Sequence, residues 1–371
     1  MELLLLSTLL GFLTVLLGTP VAEKYLFASG IYGKDQQKQG KPRVPTSGGV
    51  IVLLGVMFAI SFYAGATALF TDTVLDRLLI FAALSSASLI ALIGLIDDVH
   101  VDFTRLVEER VGEDIEINLE TGKTVFHRQV DLVFGSEDAE IERTGLNQAV
   151  KMLMVLPAAF PLIAAGAGSW SMTFPVIGVV DWGLIYPLVL LPIGLLFVSN
   201  VVNMLAGVNG LEAILSLIAS TALGIHAYQN GMTEAYALSF ILAGTLIAFL
   251  FYNKYPATVL PGDSLTYLCG AVMFSVMVIG DMEKFGIMLF APWILEFFLK
   301  ARSKFNAHSW GELQPDGSLK PLYDKNYSLT HPLMRKGLTE KQIAQVVAIL
   351  MIFWASITIL AFNYAPYLSA V

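Results

Sequence analysis

The stretch LLIFAALSSASLIALIGLIDDVHVD, residues 78–102, joins two properties that seldom occur together. Residues 78–96 carry no charge, and at about 1.5 Å per residue they suffice to cross a hydrocarbon core of about 30 Å. The run then ends on Asp97, Asp98 and Asp102. A membrane helix that finishes on three carboxylates needs a reason to keep them, because like charges repel and acids at a helix C-terminus oppose its dipole.

Comparable runs recur at 3–22, 49–69, 150–168, 184–202, 211–228, 235–252, 264–280, 286–300 and 342–362. The sequence therefore predicts an all-α polytopic membrane protein of ten transmembrane helices, with residues 1–371 as a single transmembrane domain. Composition agrees: 56% of residues are hydrophobic and 14% charged, against about 25% charged in soluble domains, and the mean hydropathy is +0.70. The first run lacks a basic leader and a small-residue cleavage site, so it reads as a retained helix.

Twenty of the 22 lysines and arginines fall in four segments, 23–48, 97–151, 253–263 and 300–341; Arg77 and Lys284 lie outside them. Basic residues accumulate in cytoplasmic loops. These segments are therefore expected on the cytoplasmic face and, with an even number of spans, both termini outside. The single cysteine, Cys269, excludes a disulfide framework or a cysteine-built zinc site within one chain.

The net charge of -8 resides mostly in an insert, 103–147, with 11 acids and 5 bases. Its alternating stretch EDIEINLETGKTVFHRQVDLVF, around Thr121-Gly122-Lys123, predicts a small cytoplasmic β-hairpin, and His127 there reads as a surface histidine. The loop 300–341 has turn signals at Pro315-Asp316-Gly317 and is long enough to fold over a substrate.

Four motifs share the expected cytoplasmic face. Asp97, Asp98 and Asp102 would put two carboxylates on one face if the helix continued, a cluster that a divalent cation or a lysine would relieve; an ordinary helix end at the polar interface looks similar. SNVVNMLAGVNGLEA, 199–213, places Asn200, Asn203 and Asn209 beside Gly207 and Gly210. Uncharged amides can coordinate a cation or read a nucleobase edge, or merely cap the next helix, and Glu212 could equally be a first-turn dipole partner. In NKYPATVLPGDSLTYLCG, 253–270, Asp263 could be a plain N-cap or one of the few oxygens a Mg2+ takes from protein. GKPRVPTSGG, 40–49, offers Lys41 and Arg43 to phosphate, or only obeys the charge bias of cytoplasmic loops. Neither a Walker loop nor a dinucleotide fingerprint is present.

Taken in order, KPRVPTSGG, GLIDDVHVD, NVVNMLAGVNGLEA, FYNKYPATVLPGDS and ARSKFNAHSW with YSLTHPLMR resemble the polyprenyl-phosphate N-acetylhexosamine-1-phosphate transferases over nearly the whole chain. NMLAGVNGLE looks more like the eukaryotic and archaeal branch acting on UDP-GlcNAc and dolichyl phosphate than like the bacterial branches, which usually carry Asp-Gly where Ala206-Gly207 stand. The histidine-rich motif of the bacterial pentapeptide transferases is reduced here to the separated His308 and His331.

The resemblance implies transfer of GlcNAc-1-phosphate from UDP-GlcNAc to a dolichyl or other polyprenyl phosphate, with release of UMP, as the first step of lipid-linked oligosaccharide assembly for N-glycosylation. It implies Asp97, Asp98 and Lys151 as catalytic residues, and Asn203 and Asp263 as ligands of Mg2+, with Mn2+ as a substitute. Asn209 is implied as a uridine contact, and Arg302, Lys304, Lys41, Arg43 and His308 as further substrate contacts. The insert 103–147 separates Lys151 from the aspartates, unlike in the relatives. The expected partners are the two substrates and the bilayer, with room for a homodimer and no role for nucleic acid. The expected location is an archaeal cell membrane, or the endoplasmic reticulum in a eukaryote, with the site cytoplasmic. The competing readings are a bacterial-type transferase using undecaprenyl phosphate, a cation-coupled transporter and a non-catalytic lipid-binding homologue. Acids in a transporter should lie near helix midpoints, whereas apart from Glu296 they lie here at helix ends or in loops.

Overall fold

The computed structural model describes residues 1–100, 148–174 and 177–364. The hairpin expected within 103–147, with His127 and Asp102, lies outside the described residues.

Among the described residues, eight helices are long and apolar enough to cross a membrane, rather than ten. They are α1 (Glu2–Ala28), α2 (Gly49–Phe70), α3 (Arg77–Val99), α6 (Leu191–Met204, extended at its start by a π-helical turn, Tyr186–Leu190), α7 (Leu211–Gln229), α8 (Thr233–Asn253), α9 (Gly262–Ile279) and α13 (Glu340–Tyr364). The other two expected spans are broken. The first is α4 (Gln148–Val155), a 3-10 turn (Leu156–Ala159) and α5 (Phe160–Ala164). Pro157 and Pro161 each remove a backbone donor and crowd the preceding turn, which a continuous α-helix does not tolerate. The second is split at Phe290 into α10 (Glu283–Leu289) and α11 (Ala291–Ala301), with Pro292 in the first turn of α11, where proline is favoured.

Short hairpins fill the connections. β1 (Tyr32–Lys34) pairs antiparallel with β2 (Arg43–Pro45), β3 (Ser171–Phe174) with β4 (Gly178–Asp181), and β5 (Gly311–Leu313) with β6 (Leu319–Pro321). The turn expected at Pro315-Asp316-Gly317 is the β5–β6 connection: Gly317 takes φ +83°, and the Asp316 carboxylate accepts from Ser318 N at 3.0 Å and Oγ at 2.7 Å. A four-residue helix, α12 (His331–Met334), completes the 302–339 loop.

The centre of the bundle is α9, packed against α2, α3, α6, α7 and α8. Its apolar window is 83% buried, whereas that of α1 is 28% buried. Between apolar helices in a bilayer there is no water to expel, so close packing of small residues holds them together. Gly270 of α9 meets the backbone of Ser199 in α6, and Gly11 of α1 meets Ala59 and Gly55 of α2. Gly94 of α3 sits so close to α9 that a Cβ would lie 2.6 Å from the Asp263 carbonyl oxygen and 2.7 Å from Ser264 N.

That contact brings the C-terminal end of α3 onto the N-terminal end of α9, and the C-terminus of α6 with the N-termini of α7 and α13 arrives at the same end of the bundle. The opposite end carries the Tyr186–Glu283 hydrogen bond and the β3–β4 hairpin. Gly94→Ala should lower stability by about 1–3 kcal/mol through overpacking. Thermal unfolding in detergent checks this against Gly65→Ala, where an added Cβ meets nothing within 4 Å; equal melting temperatures would contradict the packing.

Candidate active site

Asp98 ends α3 yet serves α9. Its Oδ1 accepts from Asp263 N at 2.7 Å and its Oδ2 from Ser264 N at 3.2 Å. The N-cap position of α9 is Pro261, whose side chain offers no acceptor, so the capping carboxylate is supplied from α3. An acid at the wrong end of its own helix dipole thus sits at the favourable end of another. Gly262, at φ +68°, permits this approach, since a Cβ there would collide with the Asp98 carboxylate. Asp263 lies inside α9 and is not its N-cap.

Asp97, 6% exposed, turns to Lys151 of α4. The ammonium lies 2.5 Å from Asp97 Oδ2 and 3.4 Å from Asp263 Oδ2, bridging α3 and α9. Two acids that share one neighbour need a cation or a shared proton between them, and Lys151 supplies the first. Helix α3 ends at Val99 with His100 extended, and Asp102 lies outside the described residues.

Tyr267, one helical turn after Asp263, links this group to α6. Its hydroxyl donates to Asn200 Oδ1 at 3.4 Å, one helical turn before Asn203 on α6. A divalent cation would find the Asp263 carboxylate, whose side chain is 24% exposed, at the start of α9, and the Asn203 amide near the end of α6, the helix packed against it. Among the described residues no three of His, Cys, Asp and Glu form a closed cage. Mg2+ takes only one or two protein oxygens and leaves its remaining positions to water and phosphate, so an open donor pair of this kind fits it.

Asn209 belongs to a neighbouring cluster. Its Oδ1 accepts from Lys38 Nζ and from Ala257 N, both at 3.0 Å, and its backbone N–H donates to Glu340 Oε1 at 2.8 Å. Lys38 also pairs with Glu340, reaches Asp35 at 3.2 Å, and lies 4.4 Å from the centre of the Tyr255 ring. Gln37 donates to the Gly207 carbonyl at 2.5 Å and accepts from Gly311 N at 3.1 Å. The side chain of Glu212 reaches back to Gly207 N at 2.7 Å. Asn209 is thus no helix cap: the N-cap of α7 is Gly210, and three distant segments, at 37–38, 257 and 340, hold the 207–209 turn in place.

The remaining basic candidates are dispersed. Lys41 is exposed at φ +44°, and Arg43 on β2 places its guanidinium 5.1 Å from the Tyr32 ring. After α11, Arg302 lies over Tyr327 at 5.8 Å, Lys304 is exposed at φ +55°, and the exposed His308 stacks on Trp310 at 5.0 Å. The Trp310 ring also covers Gly207, 3.1 Å from where its Cβ would lie.

This loop is pinned from beneath. Glu296, fully buried in α11, accepts from Leu329 N at 2.8 Å and Ser309 Oγ at 3.2 Å, while Lys300 donates to the Ala307 carbonyl at 2.6 Å. His331 is also fully buried. Tyr327 N donates to its Nδ1 at 3.2 Å, so its Nε2–H donates to the His308 carbonyl at 2.9 Å and the ring is neutral. Of these residues the sequence reading singled out neither Lys38 with Glu340, which are 302 positions apart, nor Tyr267, for which the four-residue spacing from Asp263 was a usable signal.

The bundle thus gathers an acid-lysine group and several side-chain amides at one end of its helices. The chain belongs to glycosyl transferase family 4, whose family model matches residues 80–281. It is 30% identical over 367 residues, 96% of this chain and 97% of the relative, to a Sulfolobus acidocaldarius protein provisionally named UDP-N-acetylglucosamine--dolichyl-phosphate N-acetylglucosaminephosphotransferase. A protein with the same provisional name from Saccharolobus solfataricus is 29% identical over 94% of this chain and 91% of its own length. The Saccharomyces cerevisiae enzyme of that name is 25% identical over 80% of this chain and 66% of its own length.

Two outcomes are expected from this geometry. Lys38→Met and Glu340→Gln should be non-additive in thermal stability, with a coupling of about 0.5–3 kcal/mol; additive losses would show that the pair does not act as a unit. Burial holds the His331 imidazole below its ordinary value of 6.5, and the Lys300 and Arg335 charges push the same way. A depressed histidine contributes stability fully above 6.5 and loses it as pH falls through the folded value. Limited proteolysis of the 302–339 loop should therefore accelerate on acidification from pH about 7.5 to about 5.5, and a pH-independent rate would contradict the neutral buried ring.

Proposed function

We propose that the protein transfers GlcNAc-1-phosphate from UDP-GlcNAc to a dolichyl or related polyprenyl phosphate, releasing UMP. The observation that carries this is the Lys151 bridge between Asp97 and Asp263, with Tyr267 of the same helix tied to Asn200 of α6, at the end of the bundle where the helix termini converge. The names of the relatives support the substrate assignment.

In this reaction a phosphate oxygen of the lipid forms a bond to the phosphorus bearing GlcNAc, and the bond from that phosphorus to the UMP oxygen breaks. Such transfers depend on positioning and charge neutralisation more than on covalent work by the protein. Lys151 holds Asp97 and Asp263 in fixed positions and can turn its charge to an incoming phosphate. Asp97 orients the lipid phosphate or takes its proton. Asp98 positions rather than reacts, because both its oxygens are committed to α9. Asp263 and Asn203 would hold Mg2+, which, when bound, neutralises the diphosphate and stabilises departing UMP. Asn209, fixed by Lys38, Ala257 and Glu340, would face the uracil, while Arg302, Lys304 and His308 would meet the diphosphate and sugar from the loop above.

The site would face the cytoplasm, where a soluble nucleotide-sugar meets a lipid phosphate at headgroup level. The segments that build it carry most of the basic residues, in line with that orientation.

The test is UMP release by the purified protein given UDP-GlcNAc, with and without dolichyl phosphate and Mg2+. Release should require both, fall to background with EDTA, and drop at least about 100-fold in Asp263→Asn and Lys151→Ala, the scale seen when one charge-stabilising group is removed. Lipid-independent release, or full activity in both variants, would sink the proposal.

A further inference from the structure

The side-chain amide of Asn209 is held in one orientation. Its Oδ1 accepts from Lys38 Nζ and from Ala257 N, both at 3.0 Å. An ammonium and a backbone N–H can only donate, so the oxygen must face them and the Nδ2 group must face away. Among the described residues that Nδ2 has no protein partner, and it is not sealed from solvent, although Asn209 as a whole is 7% exposed.

We infer that Lys38 is a positioning residue for base recognition: it locks the Asn209 amide as a donor toward the ligand, so that the site takes the C4 carbonyl of uracil and refuses the C4 amino group of cytosine. The inference rests on the uridine role proposed above for Asn209 and adds what sets the choice of base.

Lys38 is placed to hold a neighbour rather than a ligand. An ammonium has three donors. Asn209 Oδ1, Asp35 Oδ2 at 3.2 Å and Glu340 Oε2 supply three acceptors, and the Tyr255 ring centre lies 4.4 Å from the same nitrogen. No N–H is left over for a phosphate oxygen. One cation against two carboxylates also leaves the cluster net negative, which repels a phosphate and tolerates a neutral base. Glu340 Oε1 takes the Asn209 backbone N–H at 2.8 Å, so one carboxylate holds both the lysine and the residue that the lysine orients.

The turn that carries the amide is fixed as well. Gln37, beside Lys38, donates to the Gly207 carbonyl and accepts from Gly311 N at 3.1 Å, and Glu212 takes the Gly207 N–H at 2.7 Å. Reversing the amide on this fixed backbone would set Nδ2 against two donors and leave both without an acceptor, which is costly in a buried place.

Depth selects the edge of the base. Asn209 is nearly buried, the Asp263 side chain is 24% exposed, and the chain runs on from Ala257 to Asp263. A nucleotide whose diphosphate lies at the acid-lysine group therefore enters base first and meets Asn209 with the edge remote from its ribose. That edge carries O4, an acceptor, in uracil and an amino donor in cytosine.

The experiment measures the Kd of UMP and of CMP for the full-length protein in detergent with Mg2+, by isothermal titration calorimetry. The unaltered protein should prefer UMP by at least about fivefold, the smallest factor expected from one buried mispaired donor. Lys38→Met/Glu340→Gln, which removes both charges together, should bring the two constants to near equality, and in an Asn209→Ala background the same pair should leave the ratio unchanged. A merely structural role would weaken both nucleotides alike and keep the ratio. On the unaltered protein 4-thio-UMP should bind at least about threefold more weakly than UMP, and 2-thio-UMP as UMP does, because sulfur is the weaker acceptor. That comparison needs no variant to fold. Equal binding of UMP and CMP, a preference that survives the double substitution, or weakening by 2-thio-UMP instead of 4-thio-UMP would overturn the inference and leave the transferase proposal standing. Absence of UMP binding altogether would overturn the inference together with the uridine reading of Asn209.

Discussion

The hydrogen bonds from the first backbone N–H groups of α9 to the carboxylate of Asp98 fix the rest of this end of the molecule. They join the C-terminus of one apolar helix to the N-terminus of another across a contact with no room for a side chain at Gly94 or Gly262. A helix cap contributes about 0.5–2 kcal/mol, and here it also sets the register between two membrane helices. Once Asp98 is committed to the cap, its neighbour Asp97 is left to face Lys151, and Asp263, one residue into α9, meets the same ammonium. The three acids thus have three different environments, although two of them are adjacent in sequence.

Around that core a second layer of polar contacts gathers segments far apart in the chain. Lys38 from the first connection, Asn209 from the α6–α7 turn and Glu340 from the start of the last helix close one cluster. Glu296, Lys300 and His331 pin the last connection over it. Polar groups packed this densely at the end of an apolar bundle are costly unless mutually satisfied, and nearly every one named here has a partner. The bundle therefore supplies rigidity, and its connections supply chemistry, which is the usual division of labour between scaffold and loops.

The apolar runs made the architecture legible, because crossing a bilayer imposes a length that few other constraints imitate. Two runs are broken as helices for the same reason: their hydropathy is sufficient, but Pro157, Pro161 and Pro292 lack the backbone N–H that a continuous helix would use, which composition alone does not register. At the site, the nearness of Asp263 to Asp97 was expected from the shared cytoplasmic face and Lys151 was implied only by the family resemblance, while the cap formed by Asp98 was not foreseen, since Asp263 itself occupied the position expected of an N-cap. Local spacing could have disclosed Tyr267, one turn beyond Asp263. No local signal could have paired Lys38 with Glu340, because their partnership exists only once the first connection and the last helix have been brought to the same end.

Family 4 membership leaves one chemical alternative that matters most, transfer of a sugar phosphate or of the sugar alone. The two differ in which bond of the nucleotide-sugar breaks. The deciding measurement follows UDP-GlcNAc labelled with 32P at the phosphorus attached to GlcNAc, incubated with the purified protein, dolichyl phosphate and Mg2+, and partitioned between organic and aqueous phases. Transfer of the sugar phosphate puts the label in the lipid product and releases unlabelled UMP. Label remaining in the aqueous phase as UDP, while the sugar moves to the lipid, would contradict it.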